Sequence, residues 1–339
     1  MNKRGPTLED VAREAGVSRA TVSRVVNGVR NVDPEIQDVV RRAIRTTGYS
    51  PNGAARSLVT RRAQTVALLI SGAGDGFAAR VFTDPFFGRI VSGAMTYLRG
   101  HAMHPVLMFA ETVAAREQVV GYLRQGSADG ALVVSIQADD PLPRMLLDAR
   151  VPVVLFARPS QPLPVSYVDM DHYAGGRLAA EHLLARGCRY PATISAPGDL
   201  PAGRDRLAGF RDALQRAGRG PAPVVEGEFT LDSGAAAMMR LAEDHPEVDG
   251  VFAANDLMAQ GACQIVREQG RRVPDDVAVV GFDDSTVAIT CRPPLTTVRQ
   301  PVEKMAAAMA ELLAGQLQGS VSSPTHTLFD PELIVRDSA

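Results

Sequence analysis

From residue 65 onward, short apolar runs recur with a helical stretch between them, and this alternation constrains the fold more than any other feature of the chain. TVALLI (65–70), HPVLMFA (104–110), DGALVVS (129–135) and PVVLFA (152–157) form a first set. PATISA (191–196), DGVFAAN (249–255) and VAVVGFDD (277–284) form a second. Each run is too short for a helix and suits a buried strand, whereas Phe86–Arg99 and Thr112–Arg124 show helical spacing. Strands buried on both faces and joined by crossover helices make a doubly wound, parallel α/β architecture. A length of 339 residues leaves room for about two to three domains, so the first 64 residues need a separate account.

That account starts at Thr7. Leu8, Val11, Ala12 and Ala15 fall at helical spacing before Gly16 breaks the run, and Val22, Val25 and Val26 form a second run before Asn27-Gly28. Thr7 and Asp10 stand at capping-box spacing, and Ser18 is placed to cap the second helix. A third helix begins at Asp33-Pro34, carries Val39, Val40, Ala43 and Ile44 on one face, and stops at Gly48. Two short helices joined by a Gly-containing turn describe a helix-turn-helix, whose second helix enters the DNA major groove. An ordinary αα-hairpin would have the same caps, so charge decides between them. Residues 1–62 hold 12 Lys+Arg against 6 Asp+Glu, a surplus of +6. The remainder keeps 24 of the 36 basic and 32 of the 38 acidic residues, a balance of −8. A basic head on an acidic body is the footprint of a DNA-binding module.

AREAGVSRATVSRVVN and GYSPNGAARSL resemble the head of the LacI-type family of bacterial transcription regulators, and the core motifs described below follow in that family's order. The resemblance implies a three-helix helix-turn-helix head over 1–49 and a hinge helix with linker over 50–64. It also implies an effector-binding and dimerisation core over 65–339 with the fold of periplasmic sugar-binding proteins. The core would split into a first subdomain of 65–160 plus 293–320 and a second of 161–292 plus 321–339. By the same resemblance Arg19 and Ala20 occupy the two main base-specificity positions and Arg24 a third. An arginine can bond O6 and N7 of guanine together, the commonest specific base contact. Thr7, Ser18, Thr21, Ser23, Asn27, Asn31 and Tyr49 would hold the head on phosphates. Asn52 and Arg56 of the hinge join the DNA contacts, and Leu58 would wedge between base pairs in the minor groove. Ser50 and Pro51 can start that hinge helix, but about two turns are unstable alone in water, so it should order only with dimer and DNA.

Ligands of open parallel sheets lie at the carboxyl ends of strands, and two facing sheets form a cleft. Asp84-Pro85-Phe86-Phe87 resembles the family's helix-opening motif, and Arg206-Leu207-Ala208-Gly209-Phe210 its RxxGF motif. Phe229 matches an aromatic position that stacks on a sugar ring, and Asn255 and Asp283 end strands. Arg158 stands where relatives often carry Asp, and His172 where they usually carry Asn. The effector set implied is therefore Phe86, Phe87, Arg158, Arg206, Phe229, Asn255 and Asp283, with His172 added to the pocket. Planar donors, carboxylates and flat apolar faces suit a neutral polyhydroxylated ring. Each residue also has a plainer use: Asn and Asp cap helices, Phe fills cores, and Arg206 can pair with its neighbour Asp205.

These features together point to a transcription regulator, a repressor of carbohydrate-utilisation genes, acting as a homodimer on double-stranded palindromic operator DNA. Its effector would be a mono- or oligosaccharide; the alternative is a purine acting as corepressor. An enzyme on the same core is disfavoured. Gly72-Ala73-Gly74-Asp75-Gly76 nears a dinucleotide fingerprint, but Phe77 takes the position of its last glycine. Neither a nucleophile elbow nor a Walker A loop occurs. His101 and His104 lack a third metal ligand, so no metal or cofactor is expected. Cys188, Cys263 and Cys291 are scattered, as buried thiols of a reducing compartment would be. MNKRGPTLED has no apolar stretch behind its charges, so no membrane association is expected and the location should be cytoplasmic, at the nucleoid. The segment Gly72–Thr83 reads as a long loop, either a lid or inert surface.

Overall fold

The computed structural model of the chain describes residues 6–26, 32–49, 62–72, 77–135 and 138–339. It divides into two compact units, Met1–Gln64 and Thr65–Ala339.

The first unit contains α1 (Leu8–Ala15), α2 (Arg19–Val26) and α3 (Pro34–Thr47). Thr7 and Asp10 close a capping box: the Thr7 amide and hydroxyl donate to Asp10 Oδ2 at 2.9 and 2.8 Å, and the Asp10 amide donates back to Thr7 Oγ1 at 3.4 Å. Gly16 ends α1 at φ +65°, a left-handed conformation that a Cβ would strain. Val11, Ala12, Val22, Val40 and Ala43 make the small core, with Val25, Ile44 and Tyr49 packed at its edge.

The second unit runs β1 (Thr65–Ser71), α4 (Phe77–Thr83), α5 (Pro85–Gly100), β2 (His104–Ala110), α6 (Val113–Arg124), β3 (Gly130–Ser135), α7 (Leu142–Asp148), β4 (Val153–Phe156) and β5 (Ser166–Met170). It continues with α8 (His172–Ala185), β6 (Pro191–Ser195), α9 (Pro201–Arg216), β7 (Val224–Glu226), α10 (Leu231–Asp244), β8 (Gly250–Ala253), α11 (Asp256–Glu268), β9 (Ala278–Asp283) and α12 (Thr286–Thr290). It ends with β10 (Thr296–Arg299), α13 (Val302–Gln318), β11 (His326–Phe329) and β12 (Glu332–Ile334). Two six-stranded sheets result, ordered β11-β5-β4-β3-β1-β2 and β12-β10-β9-β8-β6-β7. Every described pair is parallel except β12 against β10. The central strands are buried except at Thr65, which opens β1, and Ser135, which ends β3, as helices on both faces require.

The sheets correct the subdomain limits expected from the sequence. β5, assigned above to the second subdomain, pairs with β4 in the first sheet. β10, assigned to the first, pairs with β9 in the second sheet, while β11 joins the first. The chain therefore crosses between lobes after Met170, between Arg299 and Val302, and between Phe329 and Glu332. The reason is pattern: SYVDM breaks its apolar run with Asp169, and the edge strand HTLF alternates exposed with half-buried residues. The segment read as a long loop carries α4, anchored by buried Phe77 edge-on to Phe109 at 6.1 Å. α13 follows β10 in sequence yet packs on α5 and the first sheet. Among the described residues no helix is long and apolar enough to cross a membrane.

Candidate functional site

Two surfaces carry the residues singled out in the sequence. On the head, Thr7, Ser18, Arg19, Ala20 and Arg24 are exposed, and Thr21, Ser23 and Tyr49 are half-buried. Ser18 Oγ accepts the Thr21 amide at 3.1 Å, so it caps α2 and stays at the surface. Arg19 Nε lies 3.1 Å from Glu9 Oε1, both side chains more than half exposed. Such a surface pair is worth about 0.2–1 kcal/mol, little enough to be exchanged for another acceptor. Asn27, Asn31, Asn52, Arg56 and Leu58 lie outside the described residues.

In the core, a cavity of about 990 Å³ opens at the carboxyl ends of strands from both sheets. Phe86, Phe87, Arg158, Arg206, Phe229, Asn255 and Asp283 all line it, and so does His172. That volume is in the range of small-molecule sites. Phe86 stands edge-on to Phe87 and Phe156, at 5.3 and 5.5 Å between centroids, which fixes its ring on the first-lobe wall.

Arg206, one turn into α9, is the hub. Its Nη1 donates to the Ala254 carbonyl, its Nη2 to Gln300 Oε1 at 3.2 Å and its Nε to His172 Nδ1 at 3.3 Å. Its guanidinium carbon sits 3.6 Å from the centre of the Phe282 ring, and Asp283 Oδ1 is 4.0 Å from Nη2. Burial pulls the Arg206 pKa down to about 10 and pushes the Asp283 carboxyl well above the usual carboxylate range. Three protein acceptors take one N–H from each guanidinium nitrogen, so each terminal nitrogen keeps a second N–H, and Arg206 lines the cavity. The possible pairing of Arg206 with Asp205 does not occur: Asp205 turns to Arg158 instead.

His172, almost fully buried, reads as neutral. Its Nδ1 accepts from Arg206, so the proton sits on Nε2, 3.4 Å from Asp169 Oδ1. Burial, then the Arg206 charge, lower its pKa. Burial alone would raise Asp169, but the bond from His172 and two backbone amides hold that carboxyl below its ordinary value. One of those amides belongs to Arg158, 3.3 Å from Asp169 Oδ2. The Arg158 side chain forms an ion pair with Asp205, joining the first lobe to α9 of the second at the lip of the cleft.

Asn255 plays both of its parts. Its Oδ1 caps α11 by accepting the Met258 amide at 2.9 Å, while its Nδ2 donates at 2.9 Å to the carbonyl of Phe229. Phe229 needs that support, because it holds φ +61°. Gln300, Asp169 and Asp84 line the cavity without having been singled out as effector residues. Gln300 directly follows β10 and Asp169 is the penultimate residue of β5, so the strand-end rule reaches both. Asp84 caps α5 through the Phe86 amide at 2.9 Å, and burial pushes its pKa up.

The lining also sets the charge a ligand must carry. Asp84, Asp139, Asp140, Asp169, Asp199, Glu226, Glu228 and Asp283 line it with Arg144, Arg158 and Arg206. Asp140 is paired with Arg116, and burial pushes Asp84 and Asp283 toward their neutral forms, which still leaves more acids than free arginines. A phosphate or carboxylate entering would meet a surplus of negative charge, whereas hydroxyls find donors and acceptors in plenty. Among the described residues no group of His, Cys, Asp and Glu is gathered to hold a metal ion.

A three-helix head with an exposed, arginine-bearing second helix, together with a two-lobed core that encloses a cleft, defines a ligand-responsive DNA-binding protein. Residues 7–52 match the model of bacterial regulatory proteins of the lacI family, and residues 180–339 that of a periplasmic binding protein-like domain. The HTH-type transcriptional regulator CelR of Thermobifida fusca is 46% identical, with 99% of each chain covered. A solved complex of the transcriptional regulator CelR with cellobiose superimposes at a TM-score of 0.78 with 44% identity, covering 98% of this chain and 100% of that one. The lac repressor dimer bound to operator and the anti-inducer ONPF gives 0.85 at 28% identity, with 99% of each chain covered. The chain belongs to the LacI family of bacterial transcription regulators, and its work is binding DNA, not catalysis.

Proposed function

We propose that this chain is a repressor of carbohydrate-utilisation genes whose operator affinity is set by a neutral saccharide, of the disaccharide class that includes cellobiose, held between the lobes. One observation carries the reading: buried Arg206 presents N–H groups beside Asp283 in a cavity also lined by Phe86 and Phe229. Donors and acceptors for adjacent hydroxyls beside flat apolar walls are what a sugar ring needs. The relatedness to a regulator solved with cellobiose supports the ligand class. Arg206 and Asp283 hold hydroxyls, Phe86 and Phe229 cover ring faces, Phe87 backs Phe86, and Asn255 fixes the Phe229 turn. Arg158 closes the lip.

On the head, Arg19, Ala20 and Arg24 read bases, while Thr7, Ser18, Thr21, Ser23, Asn27, Asn31 and Tyr49 hold phosphates. Asn52, Arg56 and Leu58 serve the hinge. The working unit is a homodimer on a two-fold operator in the cytoplasm, a reading supported by the dimeric lac repressor bound to operator. Effector binding shifts DNA affinity by its differential affinity for two arrangements of the lobes.

The test is fluorescence-anisotropy titration of operator DNA at fixed salt, alone and with cellobiose, other mono- and disaccharides, a sugar phosphate and nucleobases. A shift with one neutral saccharide and none with its phosphate is the outcome expected. Tight operator binding that only a nucleobase alters would replace the sugar reading with the purine one.

A further inference from the structure

Asp283 and Gln300 line the cleft, but both are also gripped from outside it. Arg89, on α5 of the first lobe, donates from Nη1 to the Asp283 carbonyl at 2.9 Å and from Nη2 to the Gln300 carbonyl at 3.0 Å. The same guanidinium meets Glu303 of α13 in fork-to-fork fashion, Nε to Oε1 at 2.7 Å and Nη2 to Oε2 at 2.9 Å. Glu303 is itself fixed, because α5 and α13 touch at Gly93, where a Cβ would stand 2.2 Å from the Glu303 carbonyl oxygen. The two residues that Arg89 holds end strands of the second sheet, and their backbones are tied to each other by the Gln300 amide, 3.3 Å from the Asp283 carbonyl. From inside the cleft Arg206 takes the other end of the same pair, bonding Gln300 Oε1 and facing the Asp283 carboxyl group at 4.0 Å.

We infer that Arg89 is the positioning residue that links the effector-contacting pair Asp283 and Gln300 to the first lobe, so that occupancy of the cleft is felt as a change in the angle between lobes. Arg89 touches no effector. It acts by fixing two carbonyls and one carboxylate in one plane, which only a guanidinium can do at once; a lysine ammonium is a point charge with no such fork. A ligand that pulls Arg206 or Asp283 moves the pair, and Arg89 passes that movement to α5 and, through Glu303, to α13. This rests on the reading of the cleft as the effector site, but the tie between lobes can be measured without any ligand.

The first measurement is the interlobe distance distribution by double electron–electron resonance. Spin labels go on V113C in the first lobe and M239C in the second, both exposed positions, with the native cysteines buried. R89M should broaden or shift the distribution, and R89K, which keeps the charge and the fold, should do the same. An unchanged distribution in a folded R89K protein would overturn the inference, even if its melting temperature falls. The second measurement compares effector affinity with coupling in the intact chain. With cellobiose as probe, R89K should keep its binding constant within about threefold while the factor by which cellobiose shifts operator affinity falls about fivefold or more. Wild-type coupling in R89K would overturn the role. If no saccharide shifts even the parent, the effector reading fails on its own, and the distance distribution still decides on Arg89.

Discussion

At the scale of single residues the cleft is a chain of buried polar groups in which each member fixes the next. Arg206 bridges His172, Ala254 and Gln300, and no shorter or non-planar cation reaches all three. Arg206→Lys should therefore weaken the effector response of operator binding at least about tenfold, while effector-free operator affinity stays within about threefold, since a bidentate donor is lost and the head is untouched. Anisotropy titrations with and without saccharide check it; a parental dose response would remove Arg206 from recognition. His172 supports a pH prediction. Burial and the charge of Arg206 lower its pKa, against the bonded Asp169 and nearby Asp205, which raise it. A histidine depressed in the folded state contributes stability that is complete above its unfolded pKa near 6.5 and is lost as pH falls through the folded value. His172→Asn keeps an acceptor for Arg206 and removes the titration. Melting curves from pH 7 down to pH 5 should then show the parent losing stability below pH 6.5 with a steeper slope than the variant, by at most about 1.4 kcal/mol per pH unit. Parallel slopes would mean that His172 is not the neutral, Nε2-protonated link described here.

At the scale of elements, α8 and α9 approach backbone to backbone. A Cβ on Gly176 would stand 1.9 Å from the Arg206 carbonyl oxygen, and one on Gly209 would stand 1.9 Å from that of Tyr173. Neither neighbour is a flexible side chain, so the helices must part. Gly176→Ala should cost about 1–3 kcal/mol, as overpacking does, and should weaken effector binding because the displaced helix carries Arg206. Thermal melts and effector titrations on the same preparation test both halves; a destabilised protein with parental effector affinity would show that α9 moves without Arg206. Elements also show what could be read from the chain beforehand. Continuous runs such as TVALLI and VAVVGFDD stood out because strands covered on both faces need no polar residue. β5 and β11 did not, since Asp169 interrupts one and solvent faces half of the other, and the subdomain limits were misplaced with them. α4 was hidden behind glycines that suggested a loop. Within the cleft, Arg206, Phe229 and Asn255 could be named because they sit in motifs. Gln300 and Asp169 sit at strand ends but in no motif; Gln300 acts through Arg206, 94 residues away in sequence, while Asp169 acts through His172 only three residues on.

At the scale of the whole molecule the two lobes of the core are joined by three chain crossings, by the Arg89 clamp and, at the open lip, by the Arg158–Asp205 ion pair. The last tie differs from the others in that Arg158 also lines the cavity, and the chain bridges its cleft there by a contact that a carboxylate at position 158 could not make. The arginine is 43% and the aspartate 28% exposed, so water screens the pair, and its worth is about 0.2–1 kcal/mol rather than the several expected of a buried one. Asp205→Asn should thus shift the balance between lobe arrangements only slightly, weakening effector binding by up to about fivefold. The effect on operator binding then carries a sign. A ligand and DNA that favour opposite arrangements are coupled negatively, so loosening the bridge should tighten effector-free operator binding by a similar factor. A ligand and DNA that favour the same arrangement are coupled positively, and both affinities should fall together. Measuring the two constants on one variant therefore separates an inducer from a corepressor without knowing the operator's target genes. If neither constant moves beyond error, the Arg158–Asp205 pair contributes nothing to closure, and the angle between the lobes is set by other ties such as the crossings and Arg89.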